Sequence, residues 1–267
     1  MPAGPADRWH AGETYEAFMG RWSRPLAEEF VRWLRPPPNW DWLDVGTGTG
    51  ALAGALCALA SPRSVVGCDA SSAFVEFARS RSADPCLRFE VGDAERPPLR
   101  DGGYDAIVSG LALNFFPDPR LALERQLEVA RPGGCVAAFV WDYADGMEFL
   151  RVFWDAAAVV DPRAAELDEG RRFPLCDPGA LRSLFESVGA RAVRTGAVRI
   201  STPFVDFDDY WRPLLGGVGP APAFVASLGG DQRRRLAAEL GTRLRVRFDG
   251  PIELSARAWT VAGERPA

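Results

Sequence analysis

An α/β fold, with a parallel sheet wrapped by helices, is what this sequence predicts, and three observations predict it. Strand-like apolar runs alternate with helix-like segments from Trp42 to Tyr143. Three of those runs end in an acid, at Asp44, Asp69 and Asp93. The first leads through Gly46-Thr47-Gly48-Thr49-Gly50 into an alanine- and leucine-rich helical segment. Glycines in such a turn let a ligand approach the backbone, and the N–H groups of the first helical turn point into the same space.

The elements follow in order. Up to about Arg35 the chain reads as helical, with Ser23 as a candidate cap and Pro25 in the first turn. Leu26, Phe30, Trp33 and Leu34 keep helical spacing, and Pro36-Pro37-Pro38 ends the segment. Strands are expected at 42–45, 64–68, 87–91, 104–110 and 135–141, with helices at 51–60, 72–81 and 120–130 between them. The turn Arg131-Pro132-Gly133-Gly134 separates the last helix from the last strand. Further on, helices are expected at 147–160 and 178–188 and strands at 190–200 and 252–262. Between those two strands, residues 204–247 carry helical stretches broken by glycines. The expected organisation is a helical segment at 1–40, an α/β core at 41–203, a helical lid at 204–247, and a final core strand within 248–267.

Composition narrows the function. The 267 residues are 47% hydrophobic and 25% charged, as in ordinary globular proteins, and no apolar run is long enough to span a bilayer. Met1–Arg8 lacks the apolar core of a signal peptide, so a cytoplasmic location is expected. The net charge of -5 disfavours a nucleic-acid binder, and Arg233-Arg234-Arg235 reads as a solvated helix face. The chain has no lysine, which removes lysine bases and Schiff bases. The five cysteines, Cys57, Cys68, Cys86, Cys135 and Cys176, are scattered and read as free thiols. With His10 as the single histidine, no metal is expected.

In a parallel sheet the carboxyl ends of the strands line one crevice, so Asp44, Asp69 and Asp93 are expected to converge there. A carboxylate accepts two hydroxyl donors, which suits Asp69 to a ribose diol. Asp93 suits an exocyclic amine, with the Ala94 N–H facing a ring nitrogen. The glycine loop alone leaves the ligand open, because Gly46-x-Gly48-x-x-Ala51 also satisfies a dinucleotide fingerprint.

Residues 43–50, 66–70, 92–98, 104–119 and 131–140 resemble the successive motifs of class I S-adenosylmethionine-dependent methyltransferases. The branch around the ubiquinone and menaquinone biosynthesis methyltransferases is the most similar, including the lead-in Tyr15–Arg24. The resemblance implies a Rossmann-like seven-stranded sheet, mostly parallel with an antiparallel last strand, helices on both faces and a helical cap. It implies S-adenosylmethionine as cofactor. Asp44, Gly46, Gly48, Thr49 and Gly50 would hold its methionine part, Asp69 with Ala70 the ribose, and Asp93 with Ala94 the adenine. Ser109 would touch the amino-acid end, with Tyr15 and Arg24 closing over the carboxylate. Relatives carry a histidine near the position of Asn114, where this chain has none.

Methyl transfer from a sulfonium is an in-line displacement in which alignment is the main task, so no catalytic residue is assigned. Asn114, Trp141, Tyr210 and Trp211 are candidate contacts to a small apolar or aromatic substrate. Two other readings remain open on sequence: an NAD(P)-dependent oxidoreductase, and a non-catalytic sensor of the same cofactor. Oligomeric state is not legible.

Overall fold

A computed structural model describes residues 15–216, 219–247 and 251–267. The sheet has seven strands: β1 (Asp41–Val45), β2 (Ser64–Asp69), β3 (Leu87–Val91), β4 (Tyr104–Gly110), β5 (Ala130–Trp141), β6 (Arg191–Ser201) and β7 (Ser255–Glu264). Their spatial order is 3-2-1-4-5-7-6. β1 pairs in parallel with β2 and β4, β2 with β3, and β4 with β5. β7 enters antiparallel between β5 and β6. The chain reverses direction across the sheet at β1, with β2 on one side and β4 on the other. That switch point is where an open α/β sheet leaves a crevice for a ligand.

The central strands are buried on both faces. All five residues of β1 are buried, which explains why they read as a continuous apolar run rather than an alternating one. One face is covered by α1 (Arg21–Leu34), α2 (Ala51–Leu59), α3 (Ser72–Arg81) and, further along, α5 (Glu148–Val160). The other is covered by α4 (Pro119–Val129) and, beyond the short α6 (Glu169–Arg172), by α7 (Pro178–Ser187).

The lead-in helix begins earlier than its capping signals suggest. A π-helical turn, Glu16–Gly20, runs directly into α1, and Pro25 lies inside the helix. Ser23 is no cap. Its Oγ donates to the Met19 carbonyl at 3.0 Å. Proline has no N–H to give to the carbonyl four residues earlier, and a widened turn just before α1 fits that gap. β5 also starts earlier than expected. Ala130 already pairs with Tyr104, and the glycines of the expected turn are absorbed as an irregularity between Tyr104 and Ala106.

The segment between β6 and β7 folds as α8 (Phe207–Trp211), α9 (Pro220–Ser227) and α10 (Gly230–Arg247). Phe224, Leu236, Leu240 and Leu244 are buried. Phe224 packs on Trp154 of α5 with ring centroids 5.9 Å apart. Arg21 of α1 donates to both carboxylate oxygens of Asp209, at 2.8 and 3.2 Å, and ties this insert to the lead-in helix. His10 and Trp9 lie outside the described residues.

Candidate functional site

The strand register puts the three acids side by side. Asp44 pairs across to Gly67, one position before Val45 meets Cys68, and Asp69 pairs with Val91 just short of Asp93. Above these tips lies a cavity of about 580 Å³. Asp44, Gly46, Gly48, Thr49, Asp69, Ala70, Asp93 and Ala94 all line it, together with Tyr15 from the lead-in segment.

The glycine loop is built from left-handed positions. Gly46, Gly48 and Gly50 have φ of 74°, 52° and 83°. Each glycine answers a different neighbour. A Cβ on Gly46 would sit 2.5 Å from the Ala112 Cβ, and one on Gly50 would sit 2.9 Å from the Phe89 ring. A Cβ on Gly48 would meet nothing within 4 Å, so its space belongs to the cavity. The Gly48 N–H donates to Asp69 Oδ2 at 2.9 Å, and the Ser71 N–H donates to Oδ1 at 2.9 Å. Asp69 thus clamps the loop to the tip of β2 and keeps lone pairs for two more donors.

Asp44 is fully buried. Thr47 Oγ1 donates to its Oδ2 at 2.7 Å, while Oδ1 has no partner among the described residues. Burial holds its carboxyl at about 7, the nearby Asp69 charge adds to the rise, and the Thr47 hydroxyl and Ala53 amide offset part of it. Burial also raises Asp69. Asp93 is exposed, and its Oδ1 accepts the Glu95 N–H at 2.9 Å.

Other residues singled out in the sequence stand behind the wall. Gly50 packs on Phe89. Ser109 is fully buried, and its Oγ donates to the Val45 carbonyl at 2.9 Å, joining β4 to β1 beneath the loop. Arg24 donates to Glu16 Oε2 at 2.9 and 3.2 Å instead of reaching over the cavity. Asn114 donates to Cys176 Sγ at 3.3 Å. Tyr210 donates to the Phe149 carbonyl at 2.7 Å. Neither Tyr210, Trp211 nor any other described residue of the 204–247 insert lines the cavity, whereas Trp141 does.

Apolar side chains also line the cavity: Met19, Ala27, Leu52, Phe115, Phe139 and Trp141. Met19 and Ala27 face it from the lead-in helix, which a strand-end search does not reach. Glu16 was also missed. It accepts the Thr49 hydroxyl at 2.5 Å and so fastens the lead-in turn to the glycine loop. The only sequence signal for it was its place beside Tyr15 in the lead-in segment.

Residues 43–138 match the family of methyltransferase domains. The matched span runs from β1 through most of β5 and contains all three strand-tip acids. This span is a class I S-adenosylmethionine-dependent methyltransferase domain. The chain is 29% identical over 185 residues to trans-aconitate 2-methyltransferase of Deinococcus radiodurans, covering 67% of this chain and 68% of that protein. It is 37% identical over 93 residues to demethylmenaquinone methyltransferase of Clavibacter sepedonicus, covering 34% and 37%. The chain spans between 36% and 52% of the length of the other curated relatives it matches. In fold it is similar to phosphoethanolamine N-methyltransferase 2 of Haemonchus contortus solved with S-adenosyl-L-methionine. That match has a TM-score of 0.58 at 17% identity and covers 96% of this chain and 57% of that one. It is also similar to the YcgJ protein of Bacillus subtilis, with a TM-score of 0.56 at 17% identity, covering 91% and 99%.

The methyltransferase's cofactor is S-adenosylmethionine, and the wall fits it. The cofactor brings an ammonium, a diol and an adenine amine. The cavity holds an unpartnered buried carboxylate oxygen, a carboxylate with spare acceptor capacity, an exposed carboxylate, and a glycine surface free of side chains.

Two outcomes follow. Gly46→Ala is expected to cost about 2–5 kcal/mol, from left-handed strain and the Ala112 clash, in urea unfolding. Gly48→Ala is expected to cost about 1–2 kcal/mol and to leave the fold intact, while its methyl obstructs S-adenosylhomocysteine binding in calorimetry. Equal stability losses with unchanged binding would contradict this division. The second concerns pH. Asp44 and Glu169, both buried and held at about 7, keep protons in the folded state that the unfolded chain releases near 4. The folded state therefore binds more protons between these values, and stability falls as pH rises from about 4 to about 7. Asp44→Asn is expected to flatten that slope in melting temperatures of the cofactor-free protein. A slope identical to wild type would contradict the assignment.

Proposed function

We propose that this enzyme transfers the methyl group of S-adenosylmethionine to a small, uncharged apolar or aromatic molecule. The observation that carries the proposal is the composition of the cavity wall. Its charged groups are the carboxylates Asp44, Asp69 and Asp93, and no arginine is among the described lining residues. A carboxylate or phosphate acceptor would enter a negative field without a cation to receive it. The wall offers instead the aromatic side chains Phe115, Phe139 and Trp141.

On this reading Asp44 receives the cofactor's ammonium on its free oxygen, Asp69 its ribose hydroxyls, and Asp93 with the Ala94 N–H its adenine edge. Gly48 gives the ligand its closest approach to the backbone. The bound cofactor supplies an activated methyl on a sulfonium. The chain's own task is then to hold the acceptor in line with that methyl and to exclude water. No histidine is among the described lining residues, and burial pushes the Tyr15 hydroxyl up to about 12, which keeps it protonated. We assign the wall no general base, so the acceptor is one whose lone pair is available or whose proton leaves to solvent.

The 204–247 insert is read as a brace. Asp209 holds Arg21, and Phe204 packs on Trp22 with ring centroids 5.4 Å apart, so the insert fixes the helix that carries Met19 and Ala27. The ion pair is partly exposed and worth no more than about 1 kcal/mol.

Methyl transfer from labelled S-adenosylmethionine, measured across a panel of phenols, quinols, neutral polyketide-like alcohols, trans-aconitate and phosphoethanolamine, tests the proposal. Turnover is expected with neutral aromatic or apolar acceptors and not with the two anionic ones. Asp69→Ala and Asp93→Ala are each expected to raise the dissociation constant for S-adenosylhomocysteine at least about tenfold. Turnover confined to trans-aconitate or phosphoethanolamine would overturn the acceptor class. Unchanged cofactor affinity in both variants would overturn the pocket assignment.

A further inference from the structure

The five cysteines show no spacing pattern in the sequence, yet the fold brings two of them together. Cys57 lies on α2, and Cys86 immediately precedes β3. Their Sγ atoms are 3.3 Å apart, and both are free thiols. A carboxylate oxygen of Asp84 lies within 4.8 Å of both sulfurs. The two thiols are half-buried and Asp84 is exposed, so the cluster has a wall on one side and open water on the other.

We propose that Cys57, Asp84 and Cys86 form a binding site for a thiophilic divalent cation of the zinc class. Two sulfurs and one carboxylate are a donor set for such an ion, with a water completing the tetrahedron from the open side. Zn–S bonds of about 2.3 Å at a tetrahedral angle separate two sulfurs by roughly 3.8 Å. The pair needs to open by only about 0.5 Å to reach that spacing. A disulfide requires closure to about 2.05 Å, a larger change in the sulfur separation.

The ligands stand on fixed backbone. The Cys86 N–H donates to Asp84 Oδ1 at 3.0 Å, and the Leu87 N–H donates to the Asp84 carbonyl at 3.1 Å. The Cys86 carbonyl accepts the Val65 N–H of β2 at 2.8 Å. Cys57 is held by a helix whose Leu56 is fully buried.

The Asp84 carboxylate beside the two sulfurs attracts a divalent cation. On binding, two S–H bonds give way to two metal–sulfur bonds and two protons pass to solvent. The site joins α2 to the beginning of β3, at the edge of the sheet away from the strand tips. Its effect is therefore on stability, and the methyl-transfer cavity is left unchanged.

The full chain, fully reduced, is to be titrated with Cd²⁺, following the thiolate-to-cadmium absorption, and with Zn²⁺ against a chromophoric chelator. Expected are a single ion per chain, about two protons released per ion, and a higher melting temperature with Zn²⁺. Cys57→Ser and Cys86→Ser are each expected to weaken Zn²⁺ binding at least about tenfold. Asp84→Asn should weaken it while preserving the thiolate band, and Cys135→Ser should behave as wild type. Melting of each variant without metal separates lost folding from lost ligation. Absence of binding by the reduced protein, or binding that survives in the Cys57→Ser/Cys86→Ser double variant, would overturn the site. So would ready air oxidation to a Cys57–Cys86 disulfide with no ion uptake before it.

Discussion

The turn between β1 and α2 is the constraint from which the site follows. It reverses the chain through left-handed backbone at Gly46, Gly48 and Gly50, and one of its amides is tied to Asp69 on the neighbouring strand. Left-handed backbone costs any other residue about 1–2 kcal/mol at each position. Two of the three glycines are also forced by packing, against Ala112 and Phe89. The third is not, and the space above Gly48 is the surplus that becomes the cavity. Structural necessity and ligand access are thus separated by a single residue.

The rest of the core holds that turn still. Ser109 links β4 to β1 directly below it, and Glu16 fastens the lead-in turn to Thr49 above it. Asp44, at its base, is fully buried with one oxygen unpartnered among the described residues, and burial raises its proton affinity. A buried acid in that condition destabilises the empty protein when it ionises and gains most from a bound cation.

Much of this was legible in the sequence, because parallel strands buried on both faces leave continuous apolar runs. β3 and β4 begin and end at the expected residues, and the acids at the tips of β1, β2 and β3 share one cavity as their register required. The failures have a common cause: they concern side chains whose direction depends on tertiary packing. Ser109, Arg24, Asn114 and Tyr210 sit in the expected segments but turn to protein partners. Ser23 has the chemistry of a cap but follows a π-helical turn, so no free helix end is there to cap. Met19, Ala27 and Phe139 face the cavity through helix and sheet placement that local periodicity cannot specify. The meeting of Cys57 with Cys86 is of the same kind, since 29 residues separate them along the chain.

A structure of the protein with S-adenosylhomocysteine is the most direct test of the account. Its adenosine is predicted to lie over Asp69 and Asp93, its amino acid beside Gly48 and Asp44, and its sulfur toward Phe139 and Trp141. A ligand seated elsewhere, or one whose ribose and adenine touch neither Asp69 nor Asp93, would contradict it.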